Sequence, residues 1–215
     1  EKIILTVTEI KATLEKDDVK NLTKVELIEK LEDAIPVAKF KYLASTVVNK
    51  IEKQEIPATH TTPNPIALNS LLRDMVDAGC EFCFMEVSSH AIHQRRIAGL
   101  NFDIAVFSNI THDHLDYHKT FKEYIQAKKM FFDDLSSNAI AITNIDDANG
   151  GVMVQNTKAR VRTLALKTVA DYKAKVIENS FSGLVLNINN QEVWTNLIGG
   201  FNAYNVLTVF AIAAE

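Results

Sequence analysis

Residues 2–10 of the 215-residue chain are rich in β-branched side chains, which predicts a strand. After a polar connector, Thr23-x-x-Glu26 forms a capping-box pattern. Val25, Ile28, Leu31 and Ala34 then recur at helical spacing until Pro36 stops the helix. Residues 42–48 read as a second strand. A helix is expected over residues 66–78, with Asn64 as its N-cap, Pro65 at its first position and Gly79 as its stop. Its inner face carries Leu68, Leu71, Leu72 and Met75. The apolar runs Phe82-Cys83-Phe84-Met85 and Ile104-Ala105-Val106-Phe107 read as buried strands. Between them a helix carrying Gln94, Arg95 and Arg96 is expected, ended by Gly99. Residues 124–132 read as helix and 139–143 as strand, followed by the turn Asn144-x-Asp146-Asp147-x-x-Gly150.

Past this turn the pattern changes. Residues 161–166, 174–178, 184–188 and 192–198 are short alternating runs, with Asn189-Asn190 as a hairpin turn between the last two. Gly199-Gly200 lead into a helix over residues 201–214 that carries Asn202 and Asn205. Strand–helix alternation in the first two thirds predicts an α/β fold: a mostly parallel sheet flanked by helices, with a small antiparallel β addition.

Composition narrows the function classes. The 47% hydrophobic fraction supports a real core, and the net charge of −4 gives no basis for binding nucleic acid or an anionic membrane. No apolar run approaches the roughly 18 residues of a membrane span. No basic region precedes an apolar one at the start, so a cytoplasmic protein without membrane insertion is expected. Cys80-x-x-Cys83 has no second pair and reads as two reduced core thiols. Glycine is absent before Gly79, and no G-x-x-x-x-G-K-[ST] occurs in the chain, so the usual phosphate-cradling loop is missing.

Chemistry gathers just beyond the two buried strands. The first is followed by Glu86, Ser88, Ser89 and His90, the second by His112, Asp113, His114, Asp116 and His118. Open α/β sheets bind ligands outside the carboxyl ends of their strands. Hard oxygen ligands with an occasional imidazole suit Mg²⁺ or Mn²⁺, whereas imidazole-rich sets suit zinc. His112-x-His114-x-Asp116 partly matches the start of a dinuclear zinc site of the metallo-β-lactamase type, but Tyr117 stands where that pattern has histidine. Loop histidines that merely cap strand and helix ends are the bland alternative. The loop His60-Thr61-Thr62-Pro63-Asn64-Pro65 reads, on composition, as a rigid polar linker. Lys128 falls on the aromatic side of its helix, either as a snorkelling stem or as a functional group.

Several motifs in order are more specific than any one. Met85-Glu86-Val87-Ser88-Ser89-His90-Ala91, Gln94-x-Arg96-Ile97-x-Gly99-Leu100-x-Phe102, Asn109-x-Thr111-x-Asp113-His114-Leu115-Asp116-Tyr117-His118 and Tyr124-x-x-Ala127-Lys128-x-x-Phe131-Phe132 together resemble the P-loop-like central domain of the Mur ligases. The muramyl-tripeptide synthetase branch (MurE type) is the best match, ahead of the folate-adding ligases. The resemblance covers an incomplete central domain over residues 41–215, with residues 1–40 a divergent segment in place of the phosphate-loop region.

It implies an ATP-dependent ligase of peptidoglycan synthesis that joins an amino acid, meso-diaminopimelate or L-lysine, to UDP-N-acetylmuramoyl-L-Ala-D-Glu through an acyl phosphate. ATP and Mg²⁺ are the implied cofactors, and a cytoplasmic monomer the implied state. By resemblance Glu86 and His114 are magnesium ligands, and Lys128 carries a carbamate that helps hold a second Mg²⁺. Thr61, Thr62, Ser88, Gln94 and Arg96 resemble the contacts to the UDP-sugar-peptide. Asn202 and Asn205 resemble the adenine contacts, with Asn144 and Asp147 lining the nucleotide pocket. His112 stands where the family commonly has arginine. The missing glycine loop, and the missing N-terminal uridine-binding and C-terminal domains, imply a second reading: a non-catalytic remnant that keeps the fold and part of the substrate binding.

Overall fold

The computed structural model describes residues 5–8, 48–51, 54–57, 62–111 and 115–215, with side chains for 62–111 and 117–215. The expected helix over residues 23–36 and all but the end of the expected strand over 42–48 lie outside the described residues. The strands are β1 (Leu5–Thr8), β2 (Val48–Ile51), β3 (Gln54–Pro57), β4 (Cys83–Glu86), β5 (Ile104–Phe107), β6 (Ile140–Asn144), β7 (Arg160–Ala165), β8 (Tyr172–Ser180), β9 (Gly183–Ile188) and β10 (Gln191–Thr195). The helices are α1 (Pro65–Asp77), α2 (Ser89–His93), α3 (Leu115–His118), α4 (Phe121–Asp133), α5 (Gly150–Met153) and α6 (Gly200–Ala214).

Eight strands form one sheet in the order β10-β9-β8-β7-β6-β5-β1-β4, and β2 and β3 form a separate antiparallel hairpin. β5, β6, β7 and β8 pair parallel, while β1 runs antiparallel to both β4 and β5. β4 to β8 therefore all point one way, and their carboxyl ends share one edge. The expected α/β sheet is present, and its antiparallel addition is β8–β9–β10. Residues 161–166 do not belong to that addition: β7 pairs parallel with β6 along its length, and its Leu164 and Ala165 are fully buried.

Alternation along the central strands sets three layers. Ile104, Val106, Ile140 and Ile142 join a core with Leu207, Phe210 and Ala211 of α6. Ala105, Phe107 and Ala141 face the other way, into a core with Leu68 of α1, Ile92 of α2, Phe131 and Phe132 of α4 and Met153 of α5. Both faces of β5 and β6 are thus covered, and so these strands read as unbroken apolar runs rather than alternating ones.

The helix boundaries follow local chemistry. The Asn64 side chain accepts from the Ala67 amide at 3.0 Å, Pro65 takes the first helical position, and Gly79 adopts φ +81° just past the end. Thr120 caps α4, accepting from the Glu123 amide at 3.2 Å. Asn189 and Asn190 both have positive φ, the requirement of a two-residue type I′ hairpin turn. The helix expected to carry Gln94–Arg96 ends earlier, at His93. Arg95 turns to φ 54°, and the amides of Arg95 and Arg96 bond back to the carbonyls of Ile92 and Ala91. This pair of bonds is a Schellman stop, made here without a glycine.

Candidate functional site

The site begins where β4 ends. Glu86 is the last residue of β4, and its carbonyl accepts from the buried Thr62 hydroxyl at 3.0 Å. Ser88 then caps α2, its Oγ accepting from the Ala91 amide at 3.1 Å. That bond uses a lone pair and leaves the hydroxyl proton free to be donated. Ser89 is buried, and its Oγ lies 2.9 Å from His118 Nε2, also buried.

The Schellman turn brings Arg96 back over this exit. Arg96 donates through Nη1 to the Thr62 carbonyl at 3.0 Å and through Nε and Nη2 to Gln94 Oε1 at 2.9 and 2.6 Å. Gln94 Nε2 donates to the Tyr117 hydroxyl at 3.2 Å, which lies 2.9 Å from His93 Nδ1. A continuous chain of hydrogen bonds thus links the loop before α1 to the segment after β5. Three of the five guanidinium donors of Arg96 are engaged, so two remain for a ligand. The ring of His90 lies 4.1 Å from that of Tyr117, centroid to centroid.

α4 carries Lys128 on its buried face. Lys128 is only 4% exposed, and its Nζ sits 5.3 Å from the centroid of the Tyr124 ring. Its head is therefore not in open water, which removes the snorkelling reading. The adjacent Lys129, equally buried, pairs with Asp133 one turn on. His60, Thr61, His112, Asp113 and His114 lie outside the described residues, as does the side chain of Asp116. Among the described residues no three His, Cys, Asp or Glu side chains converge as a metal site. Of the implied magnesium set, Glu86 and Lys128 are described. A carboxylate and a carbamate would be hard oxygen donors, the kind that suits Mg²⁺.

A second group lies at the β6 exit. Asn144 is buried, donates to the Ser108 carbonyl at 2.7 Å and accepts from the Asp146 amide at 3.0 Å. Asp147 accepts from the Ile110 amide at 2.9 Å and the Asn149 amide at 2.8 Å. Both residues hold the loop that follows β5 against the end of β6. Asp146 accepts from the amides of Leu166, Lys167 and Thr168, the Thr168 hydroxyl and the Tyr204 hydroxyl, at 2.7 to 3.0 Å. Burial alone would push its carboxyl up, but the bonds from Lys167, Thr168, Leu166 and Tyr204 outweigh it and hold the group at about 2. Burial, followed by the bond to Asp146, raises Tyr204 to about 12. On α6, Asn202 donates to the Ile198 carbonyl at 2.7 Å, and Asn205 donates to Asn202 Oδ1 at 2.9 Å.

The sequence reading gave no role to Asp146, Tyr117 or Tyr204. Asp146 belongs to a motif already singled out, but nothing local separates it from Asp147. Cys80 and Cys83 are free thiols, and burial, with Cys80 alongside, lifts Cys83 to about 11, as expected of inert core cysteines.

The chain matches the model of the Mur ligase middle domain over residues 23–213. It is 58% identical over 171 residues to the UDP-N-acetylmuramoyl-L-alanyl-D-glutamate–2,6-diaminopimelate ligase of Cytophaga hutchinsonii, a match covering 80% of this chain and 35% of that protein. The protein of the same name from Parabacteroides distasonis is 55% identical over 173 residues, covering 80% and 36%. That from Bacillus licheniformis is 38% identical over 181 residues, covering 80% and 37%. A solved structure of a ligase of this name superposes with a TM-score of 0.65 at 29% identity, covering 74% of this chain and 35% of that one. The chain spans about a third of the length of the curated relatives it matches.

Proposed function

Because the chain belongs to the Mur ligase family, we propose that it supplies the middle-domain part of an ATP-dependent ligase adding 2,6-diaminopimelate to UDP-N-acetylmuramoyl-L-Ala-D-Glu. The observation that carries this reading is the 58% identity to a ligase named for that reaction, over a stretch holding the described strand-exit motifs. The names of the relatives favour diaminopimelate over L-lysine as the added amino acid. In this reaction ATP phosphorylates the substrate carboxylate, the amine attacks the acyl carbon, and phosphate leaves. ATP as co-substrate puts the work in the cytoplasm.

The chain's own residues divide the task. Thr61, Thr62, Ser88, Gln94 and Arg96 hold the sugar-peptide. Arg96 has donors left over and Ser88 a free proton, as an anionic ligand requires. Glu86, His114 and a carbamate on Lys128 are the proposed Mg²⁺ ligands. Lys128 is buried on the inward face of α4, where a carbamate would present oxygen donors to a metal. The metal, when bound, offsets the charge of the phosphates and carboxylates brought together. Asn144, Asp147, Asn202 and Asn205 form the nucleotide side. A second reading, binding without turnover, is favoured by the absence of a G-x-x-x-x-G-K-[ST] loop from the sequence.

A thermal-shift titration with UDP-N-acetylmuramoyl-L-Ala-D-Glu, with and without Mg-ATP, tests both. Ligand at 100 times its Kd stabilises the fold by roughly 2.7 kcal/mol. Shifts with the sugar-peptide and with Mg-ATP support the ligase reading. A shift with the sugar-peptide alone supports the binding-only chain, and no shift with either sinks both readings.

A further inference from the structure

Asp146 joins three stretches: the β6 exit, the turn after the neighbouring strand β7, and the start of α6. Its Oδ2 takes the amides of Leu166 and Lys167 and the Tyr204 hydroxyl, while Oδ1 takes the amide and hydroxyl of Thr168. The 166–168 turn follows β7, and Tyr204 lies on α6 between Asn202 and Asn205. Asp146 itself sits between Asn144 and Asp147 at the β6 exit. The four residues on the nucleotide side therefore come from two segments, and Tyr204–Asp146 is the described hydrogen bond that ties one to the other.

The body of α6 sets this distance only in part. α6 packs chiefly on β8, β7 and β9, and its far end is anchored to β7 and β8 where Glu215 meets Arg160, Arg162 and Tyr172. Ala203 and Leu207 of α6 also share a buried cluster with Ile140 and Ile142 of β6, but apolar packing is non-directional, and Tyr204–Asp146 is the described hydrogen bond that sets the polar face of α6 against the β6 exit. We propose that Asp146 is a positioning residue for the nucleotide: through Tyr204 and the 166–168 turn it holds Asn202 and Asn205 opposite Asn144 and Asp147. The inference rests on the ligase reading above. An uncharged residue would not serve as well. Two carboxylate oxygens offer about four acceptor sites and can meet donors from three directions. An asparagine would turn an NH₂ group toward some of those same donors.

The test is an NMR titration of the ¹⁵N-labelled chain with Mg-ATP as probe, following the side-chain amides of Asn202 and Asn205 and the backbone amides of residues 144–147. Tyr204→Phe keeps the ring and removes only the hydroxyl. Asp146→Asn keeps the shape and removes the charge. Asp171→Asn is the control: Asp171 also braces β7, accepting from the Thr163 amide and hydroxyl at 2.8 and 2.7 Å, but it makes no described hydrogen bond to α6. The wild type is expected to show saturable shifts at all these signals. Tyr204→Phe should weaken binding roughly tenfold, the factor that about 1.4 kcal/mol carries for a bond to a charged group. Asp146→Asn should weaken it at least as much, and Asp171→Asn should bind as wild type does. Tyr204→Phe with a folded spectrum and an unchanged Kd overturns the inference and leaves the ligase reading standing, even if Asp146→Asn fails to fold. Equal weakening by Asp171→Asn also overturns it, since general loosening of the sheet edge would then account for the loss. No saturable shift in the wild type removes the nucleotide pocket itself, and the inference with it.

Discussion

Gly150→Ala and Gly151→Ala add the same methyl group to adjacent residues, and stability should move in opposite directions. A Cβ on Gly150 would lie 2.0 Å from the Asn144 carbonyl oxygen, 2.9 Å from its carbon and 3.3 Å from Ile145 Cα. All three are backbone atoms at the end of a fully buried strand, so none can swing aside. To reach even 3.0 Å, α5 must retreat by about 1 Å. The helix is pinned at that point, because the Thr143 hydroxyl donates to the Gly150 carbonyl at 2.8 Å and Met153 is fully buried. Overpacking costs about 1–3 kcal/mol, and the strained hydrogen bond adds about 1 kcal/mol. Together they predict a loss of about 2–4 kcal/mol, or roughly 4–16 °C in Tm for a chain of this size. A Cβ on Gly151 meets nothing within 4 Å. Alanine there should gain about 0.5 kcal/mol from helix propensity and reduced unfolded-state freedom. Urea midpoints of both variants decide the matter. Gly150→Ala at wild-type stability would mean that α5 does not lie against the Asn144 carbonyl, and the description of the β6 exit would be wrong.

Arg95→Gly should stabilise the chain by about 0.5–1 kcal/mol, because φ 54° is costly for arginine and free for glycine; a lower urea midpoint would argue against the Schellman turn. Thr208 is buried, and its hydroxyl has no hydrogen-bond partner among the described residues. Thr208→Val should therefore gain about 1 kcal/mol, and a loss of stability would reveal a partner. Acid sensitivity follows from two carboxylates held below their ordinary value: Asp146 as described, and Asp171, for which the Thr163 hydroxyl is the first cause. Depressed folded values mean that the stabilisation is fully present above the unfolded value of about 3.9 and is lost as pH falls toward 2. The gap in stability between wild type and Asp146→Asn should thus narrow between about pH 5 and pH 2, and a gap that does not change with pH would refute the assignment.

The fold was legible wherever one local rule acted alone. Asn64-Pro65 and Gly79 bracket α1 because capping is local, and Asn189-Asn190 forms its turn because asparagine tolerates positive φ. The sequence reading failed where a distant partner decides. Residues 161–166 read in sequence as an alternating, antiparallel-type run, yet burial along β7 does not alternate: its first part is exposed while Leu164 and Ala165 are buried. Its parallel pairing with β6 is settled by the connection through α5, which alternation does not report. α2 was expected to run on to Gly99 because Gln94, Arg95 and Arg96 are all good helix formers. Propensity lost there to the turn that returns Arg96 to the Thr62 carbonyl, a contact 34 positions away.

The candidate site divides along the same line. Glu86 and Ser88 stand out because a polar residue ends an apolar run, and Lys128 because a charge sits on an inward helix face. Each breaks a pattern, and a broken pattern is visible in a single sequence. Asp146 and Tyr204 break none: an aspartate in a turn and a tyrosine on an apolar helix are what folding alone would put there. Their pairing spans 58 positions, and Asp147, one residue along, turns instead to the Ile110 amide 37 positions back. Which aspartate faces which partner depends on where β7 and α6 lie relative to the β6 exit, and that is known only once the sheet is assembled. Residues that would touch ligand can therefore be read from composition against pattern. How others hold them in place emerges only from the packed structure, which is why the Tyr204→Phe titration examines residues to which the motifs give no role.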